Sequence, residues 1–378
     1  MIKSEIITAK MKTLWESTLR NVVFTSARPL YAIGLAFLVS AVMIGASKVN
    51  PITAYAALFQ GAFGSLAGLA NTCVRATPLL LGGLGISYGF KAGLLNIGAE
   101  GQMYVGGAAA TVVALMPLPV PALLHITLAI SAGFAGGLIW GIIPGYLRAY
   151  RGVSEIVVTL MLNYIGMYFI NWLVEEPHPL AELNTTYPQS PIIQKSAQLP
   201  ILIKGTSMHA GIILGLALAL IMYLMLRYTP FGFKTRMVGQ NPEAAHYAGV
   251  RVKRQILFVM LISSGFGGLA GAGEVLGLKL RLFDLFVGGV GYEAIAVALL
   301  ANANPLGVIL SAFFFGALKA GANRMQIVSG IESSMALIVL ALAVLFVIGI
   351  GFGERRVRSK REKSEKQSTK QETQEYGD

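Results

Sequence analysis

Apolar runs of about 20 residues recur along most of the chain and alternate with short polar stretches. The first clear run is 29–47, PLYAIGLAFLVSAVMIGAS. A helix of about 20 apolar residues is long enough to cross the hydrocarbon core of a bilayer. Nine further crossings are predicted at 75–91, 101–118, 121–147, 154–174, 209–227, 255–274, 286–301, 305–322 and 335–352. Residues 53–72 are a weaker candidate, predicted to be an external helix or a re-entrant segment. The predicted fold class is an all-α polytopic membrane protein of about ten transmembrane helices.

Polar segments divide this predicted transmembrane domain, 29–353, from the rest of the chain. Residues 175–208 are rich in proline and polar side chains and are predicted to form an external loop, whereas 228–254 is predicted to be a cytoplasmic loop. The start, 1–28, is predicted to be a cytoplasmic amphipathic segment on the inner leaflet. The end, 354–378, mixes charges with Ser, Thr and Gln and lacks apolar residues, which predicts a disordered cytoplasmic tail.

Composition and charge support the membrane interpretation. The chain is 55% hydrophobic and only 13% charged, and its mean hydropathy is +0.66, whereas soluble domains carry about 25% charged residues. The formal net charge of +12 is concentrated in the first 28 residues, in 227–254 and after Gly353. Cytoplasmic loops carry such an excess, so both termini are predicted to be inside. The basic residues flank apolar runs, which indicates membrane lipid and not nucleic acid as their partner.

The start of the chain also allows a cleaved signal peptide. Its basic region is long for that role, and the chain that follows stays membrane-like, so we favour a retained segment.

Glycine spacing predicts close helix packing. In the fourth predicted crossing, glycines fall four residues apart and share one helix face. They are Gly133, Gly137, Gly141 and Gly145. Gly267 and Gly271 have the same spacing in the seventh crossing. Both sets predict a tightly packed bundle.

The sequence offers no convincing catalytic set. Cys73 is the only cysteine, so the chain has no intrachain disulfide and no cysteine-based metal site, and its four histidines lack metal-ligand spacing. Residues 85–89, GISYG, match the nucleophile-elbow pattern but lie inside an apolar run. No phosphate-binding P-loop is present. We therefore predict no catalytic residue and no metal or cofactor site in this chain, against the alternative of a membrane-embedded enzyme.

Polar side chains inside the predicted crossings are the candidates for function. Residues 94–107, LLNIGAEGQMYVGG, hold Asn96, Glu100 and Gln102 among glycines. An ionisable group at the bilayer centre costs at least about 2.5 kcal/mol, so such groups usually pair or line a path. Asn96 lies one turn before Glu100, so the two face the same way if the stretch is helical. Glu274 is a further carboxylate of this kind.

A second stretch resembles the first. Residues 287–305, VGGVGYEAIAVALLANANP, again combine glycines with one carboxylate, Glu293, and small apolar residues. Broken helices at matching places in two halves indicate a pathway between pseudo-repeats. Each glutamate either caps a half-helix by accepting backbone N–H groups or contacts a substrate, and both roles are compatible. Glu155, in contrast, lies near a span end close to Arg151.

Three stretches together resemble a known family. LLNIGAEGQMYVGG, VGQNPEAAHYAGV (238–250) and GYEAIAVALLANANPLGV (291–308) are similar to motifs of permeases in bacterial ABC importers, in the superfamily for branched-chain amino acids and simple sugars. The NIGAEGQ form resembles the nucleoside-type permeases that work with a basic-membrane-protein lipoprotein. The resemblance covers residues 30–352. Asn302 departs from it, because a glycine is expected near that position.

The resemblance implies a division of labour in a bacterial cell membrane. This chain would form the path, with Asn96, Glu100, Gln102, Glu274 and Glu293 along it. A cytoplasmic ABC ATPase would bind ATP and Mg²⁺, an external lipoprotein would deliver nucleosides, and a second, paralogous permease would complete the pore. A ribose-like simple sugar is the alternative substrate, and an ion-driven secondary transporter is the alternative class.

The 238–250 stretch is predicted to be a short helix that couples to the ATPase. Asn241 is a good cap, Pro242 fits a first turn, and Glu243 suits the positive end of the helix dipole. Ala244, Ala245 and Ala248 leave a smooth face, and Gly249 ends the helix. An ordinary cytoplasmic loop with one helical turn is the alternative interpretation.

Overall fold

The computed structural model describes residues 31–332 together with 334–335, 337–339, 341–346 and 349. The predicted segments 1–28 and 354–378 lie outside the described residues. Within the described part the fold is all-helical, and β-structure is confined to the isolated bridges Gln189–Phe283 and Ile201–His209. The helices are α1 (Tyr31–Ala46), α2 (Pro51–Phe63), α3 (Leu66–Lys91), α4 (Ala99–Leu115), α5 (Ala122–Trp140), α6 (Ile142–Arg151), α7 (Glu155–Val174), α8 (Gly211–Tyr228), α9 (Pro230–Gln240), α10 (Pro242–Tyr247), α11 (Val252–Glu274), α12 (Val290–Leu300) and α13 (Pro305–Ser329).

Two compact units divide the chain. Among the described residues, one unit contains α1 and the apolar helix Leu337–Phe346. Residues 52–333 form the other unit, which contains every predicted site residue.

Six stretches of the described residues are long and apolar enough to cross a membrane. They are Leu66–Lys91, Ala122–Arg151, Glu155–Val174, Gly211–Tyr228, Val252–Lys279 and Pro305–Ser329. The all-helical membrane fold predicted from the sequence is therefore confirmed at the level of six spans. α12 is much shorter, with 11 residues, about half of a full crossing. A count of ten crossings stays a prediction.

The predicted segment 53–72 does not form one separate piece. α2 ends at Phe63, and α3 begins at Leu66, where Ser65 is the N-cap and its Oγ accepts a hydrogen bond from Gly68 N at 3.0 Å. α3 then continues for 26 residues to Lys91. The crossing predicted at 75–91 is therefore part of a longer helix, because the local cap at Ser65 sets the beginning of that helix.

The four glycines that share one face, Gly133, Gly137, Gly141 and Gly145, lie along α5 and α6 and face α11. The close helix packing that their spacing predicted is present. A Cβ on Gly137 would meet Gly268 Cα at 2.8 Å, and one on Gly145 would meet Met260 Cβ at 3.2 Å. Gly271 lies against the backbone of Met103 in α4. Backbone therefore meets backbone where α4, α5 and α11 cross, and this contact fixes the position of the N-terminal end of α4.

The long connection between α7 and α8 is irregular but anchored. Ser190 N donates to Leu282 O at 2.7 Å, and Leu199 N donates to Leu276 O at 2.9 Å. An ion pair of 3.1 Å between Arg281 and Glu182 adds to these hydrogen bonds. The connection therefore lies along residues 276–284, the segment that leads from α11 to α12.

His209 lies at the end of this connection, just before α8, and is buried. Its Nδ1 accepts a hydrogen bond from Gly211 N at 3.2 Å, and its ring packs against Gly277. Burial lowers the pKa of His209 to about 4, below its ordinary value near 6.5. The unfolded chain takes up a proton between these two values and the folded chain does not. The stabilising contribution is complete above about pH 6.5 and is lost as the pH falls toward 4.

His209→Asn is expected to flatten this pH dependence. Asparagine retains an acceptor near the position of Nδ1 but does not titrate, so about 3 kcal/mol of acid sensitivity would disappear. The measurement is the thermal unfolding midpoint of the purified protein between pH 7.5 and 4.5. Wild type should lose more stability than the variant over this interval. Parallel curves would contradict a buried neutral His209.

Candidate functional site

Two helix starts carry the predicted carboxylates. Residues 92–98 are not helical, and α4 begins at Ala99, so Glu100 lies in its first turn. α12 begins at Val290 after a non-helical segment, so Glu293 lies in its first turn. Gly289, the residue before α12, has φ +87°, a left-handed conformation that favours glycine. The two interrupted stretches predicted from the sequence are therefore both present.

Glu100 joins the two helix starts. Its Oε1 accepts a hydrogen bond from Gly289 N at 2.8 Å, and its Oε2 accepts one from Gly291 N at 2.7 Å. The carboxylate thus caps the N-terminal end of α12, where the helix dipole favours negative charge. Gly291 lies so close to the backbone of Glu100 that a side chain there would collide with it. Capping by Glu100 was predicted as one of two roles, but the capped helix is α12 and not its own.

Asn96 and Gln102 form a reciprocal amide pair. Gln102 Nε2 donates to Asn96 Oδ1 at 3.0 Å, and Asn96 Nδ2 donates to Gln102 Oε1 at 3.2 Å and to Ser263 Oγ at 2.8 Å. Both amides are only 1% exposed. Asn96 was expected to share a helix face with Glu100 if the stretch were helical. It is not helical, and Asn96 instead fixes the break by binding Gln102 and α11.

Asn163 of α7 completes this network, although the sequence did not single it out. Its Oδ1 accepts from Gly101 N at 2.9 Å, and its Nδ2 donates to Ile97 O at 2.9 Å and to the Tyr292 hydroxyl at 3.2 Å. A neutral amide in an apolar run is the available signal, and it is weaker than that of an ionisable residue, which costs more to bury. We call Asn96, Glu100, Gln102 and Asn163 the amide network.

Glu293 forms an ion pair with Lys319 of α13. Lys319 Nζ donates to Oε2 at 2.7 Å and to Oε1 at 2.9 Å. The side chains of Lys319 and Glu293 are 20% and 21% exposed. Glu293 therefore does not cap α12 in the way that the capping alternative proposed, because Glu100 already accepts the N–H groups there. Lys319 was not among the predicted pathway residues, although a single lysine in an apolar run is a sequence signal for a buried ion pair.

Glu274 is the last residue of α11 and is followed by a π-helical turn, Val275–Lys279. It is buried, and it makes no hydrogen bond or ion pair with a described residue. Lys279, Lys319 and Arg75 act on its carboxylate electrostatically. Lys319 pairs with Glu293, and its charge also acts on Glu274. The structure therefore separates the five predicted pathway residues into the satisfied amide network and a second group that contains Glu274 and Glu293.

Glu155, which was expected to lie near a span end close to Arg151, forms an ion pair with Arg148. The Arg148 Nε–Glu155 Oε2 distance is 3.1 Å. Glu155 Oε1 also accepts from Leu95 N at 3.2 Å, so this pair supports the break before α4 from the other side.

The short helix predicted in 238–250 is present as α10, Pro242–Tyr247. Asn241 Oδ1 accepts from Glu243 N and Ala244 N, each at 3.0 Å, and Pro242 occupies the first turn. Gly249 follows with φ +81°. The predicted helix start and helix end are both confirmed.

The three alanines predicted to form a smooth face of α10 do not all lie on the same side of the helix. Ala245 is buried against Val238 and Val250, so it anchors α10 to its own chain. Ala244 and Ala248 are exposed. Tyr247 is 91% exposed, the largest value among the described large apolar side chains. The outward face therefore carries an aromatic side chain that the sequence analysis did not emphasise.

A cavity of about 520 Å³ lies beside α10. It is lined by Tyr150, Pro242, Glu243, His246, Arg251, Val252, Lys253 and Arg254. Three of these eight residues are basic, namely Arg251, Lys253 and Arg254, so the cavity has a basic rim at the start of α11.

Asn302 occupies the turn after α12 with φ +50°, and Ala303 follows with φ +53°. Asparagine tolerates this left-handed conformation better than most side chains, which explains how the chain departs from the expected glycine here.

Comparison with known proteins agrees with the motifs. The chain is 39% identical over 325 residues to the guanosine ABC transporter permease protein NupP of Bacillus subtilis, covering 84% of this chain and 92% of that protein. It is 34% identical over 337 residues to the glucose ABC transporter permease protein TsgB13 of Haloferax volcanii, covering 86% and 88%. It is 32% identical over 334 residues to the nucleoside ABC transporter permease protein NupB of Lactococcus lactis, covering 86% and 90%.

The family described as the permease component of branched-chain amino acid transport systems matches residues 68–349, which include α3 to α13 and both helix breaks. The resemblance seen in 94–107, 238–250 and 291–308 is thereby confirmed, and the chain belongs to this family of membrane permeases.

Proposed function

We propose that this chain is the permease subunit of an ABC importer that carries nucleosides across the plasma membrane. The observation that carries the proposal is the 39% identity to the guanosine permease over 84% of the chain. The nucleoside permease of Lactococcus lactis supports the same substrate class. The glucose permease relative makes a simple sugar the second candidate.

The proposed division of labour leaves energy conversion to a partner. The sequence contains no P-loop, so ATP and Mg²⁺ would be bound by a cytoplasmic ABC ATPase. An external lipoprotein would deliver the substrate, and a second, paralogous permease would complete the pore. This chain would have no catalytic residue and no metal site of its own.

We further propose about ten crossings with both termini in the cytoplasm. The basic residues that flank α6 and α11 support this orientation, since cytoplasmic loops carry such an excess. In this topology 228–254 is cytoplasmic and 175–208 is external. The matching breaks before α4 and α12 support two pseudo-repeated halves.

The amide network is proposed to set the shape of the path, and Glu274 and Glu293 to line it. Asn96 and Gln102 satisfy each other, and Glu100 is satisfied by the backbone N–H groups of α12, which suits a positioning role. Glu293 and its partner Lys319 are about one fifth exposed, which suits a role in contact with substrate or water.

Uptake of radiolabelled nucleosides, ribose and glucose tests the proposed function. Cells with and without the gene would be compared, each with ATP depletion and with an ionophore. We expect nucleoside uptake to require the gene and ATP but to survive the ionophore. If cells without the gene lose only sugar uptake, the substrate is a sugar and not a nucleoside. Uptake that survives ATP depletion but collapses with the ionophore would reject an ABC importer in favour of an ion-driven carrier.

α10 is proposed to dock on the ATPase through its exposed face. Asn241, Pro242 and Glu243 start the helix, Ala245 anchors it, and Gly249 releases the chain after it. A fully exposed tyrosine at its end is the kind of side chain that anchors an interface.

Tyr247→Ala is expected to weaken ATPase binding at least tenfold, with little effect on the fold, because Tyr247 is 91% exposed in the free chain. The measurement is the amount of ATPase that co-purifies with the permease at matched membrane abundance. Tyr187→Ala, an exposed tyrosine in the predicted external loop, is the matched control. Unchanged co-purification of the Tyr247 variant would remove this face from the proposed interface.

A further inference from the structure

Five ionisable side chains from different elements interact through their charges. They are Arg75, Glu274, Lys279, Glu293 and Lys319, and we call them the charged cluster. They come from α3, the end of α11, the π-helical turn, α12 and α13. Ionisable residues within spans are costly and are retained mainly where they bind or conduct a ligand.

Hydrogen-bonding capacity is left over in this cluster. A lysine ammonium has three donors, and two of those of Lys319 reach Glu293. The carboxylate of Glu274 has no hydrogen bond to a described residue. Arg75 Nε is buried and also lacks a hydrogen-bond partner in the described part of the chain. The cluster therefore offers both donors and acceptors to a polar ligand.

Access separates the Glu293–Lys319 ion pair from the amide network. Lys319 and Glu293 are about one fifth exposed, whereas Asn96 and Gln102 are essentially inaccessible and satisfy each other. A ligand can reach the ion pair without breaking the structure that supports α4. The Glu293–Lys319 ion pair is therefore the better candidate for direct contact, although the sequence motif draws attention to the amide network.

We propose that the charged cluster binds the hydrogen-bonding edge of a 6-oxopurine nucleoside such as guanosine or inosine, an inference that rests on the proposed nucleoside function. Such a base carries the acceptors O6 and N7, which lysine and arginine side chains recognise. Beside them it carries an N1–H donor, which a carboxylate accepts. In this proposal Lys319 donates to the acceptors and Glu293 accepts from the donor. Adenosine presents an amine donor in place of O6, so it opposes the lysine donor.

The test measures binding to the complete purified assembly of both permeases and the ATPase in nanodiscs, without the external binding protein. Omitting that protein removes its own selectivity from the measurement. Tritiated guanosine is the probe, and inosine, adenosine and cytidine are competitors. Inosine should compete well, and adenosine and cytidine at least tenfold less well. Lys319→Met and Glu293→Gln should each weaken guanosine binding at least tenfold and reduce discrimination against adenosine.

Two further variants keep the test decisive. Arg324→Gln removes an exposed cation from the same helix and should change nothing. The double variant E293K/K319E keeps the net charge, so it should retain normal abundance while losing discrimination. Retained discrimination in the double variant, or equal binding of guanosine and adenosine by wild type, would overturn the inference while nucleoside uptake by cells upholds the proposed function. Cells that take up no nucleoside through this chain would overturn both.

Discussion

Gly268→Ala is expected to remove most of the folded protein from the membrane. A Cβ at this position would collide with the carbonyl oxygen of Gly133 and would lie 2.9 Å from the Cα and N of Gly137. These obstacles are backbone atoms, which cannot rotate away as a side chain does. α5 and α11 would have to separate, and overpacking of this kind costs about 1–3 kcal/mol or more.

Gly273→Ala is the matched control for this prediction. It lies on the same helix, and its added Cβ would meet only Leu81 Cδ1 at 3.7 Å, an ordinary contact. Alanine also favours a helix over glycine by up to about 1 kcal/mol. Membrane abundance and the unfolding midpoint should fall for Gly268→Ala and stay level or rise for Gly273→Ala. Equal behaviour of the two variants would show that folding does not need the close contact between α5 and α11 at Gly268.

The close packing of the glycine-rich helices and the start of α10 were predictable because their causes are local. A period of four residues places glycines on one helix face whatever the partner is. Asn-Pro before Glu favours a helix start through hydrogen bonds that reach only two or three residues ahead, and Asn241 makes both. Local interactions determine these elements, so the structure agrees with the sequence-based prediction there.

The partners of the carboxylates were not predictable in the same way. Glu100 binds backbone N–H groups 189 and 191 residues further along the chain. Glu293 takes its cation from the next helix, 26 residues away. The sequence indicates that each group needs a partner, because an unpaired charge in a membrane is costly. Which partner it finds depends on how α4, α12 and α13 pack, and no local pattern records that.

Glu100→Ala is expected to reduce nucleoside uptake by more than tenfold while reducing membrane abundance much less. The change leaves two backbone N–H groups at the start of α12 without their acceptor, at a cost of about 1–3 kcal/mol for each buried group. α12 can lessen this cost by tilting, since it is short and follows a glycine-rich segment. The crossing of α4, α5 and α11 does not depend on Glu100 and should survive.

Tilting of α12 would displace Glu293 from Lys319, so uptake per folded molecule should fall even though Glu100 itself need not touch the substrate. Glu100→Gln should be intermediate, because the amide keeps one acceptor oxygen but turns its NH₂ group toward the other backbone N–H. Glu332→Ala, which removes an exposed carboxylate, is the control. Uptake and abundance would be measured on the same cells. Equal losses in both would reduce Glu100 to a folding residue, whereas a selective loss of uptake would mean that the cap holds α12 in the position that transport requires.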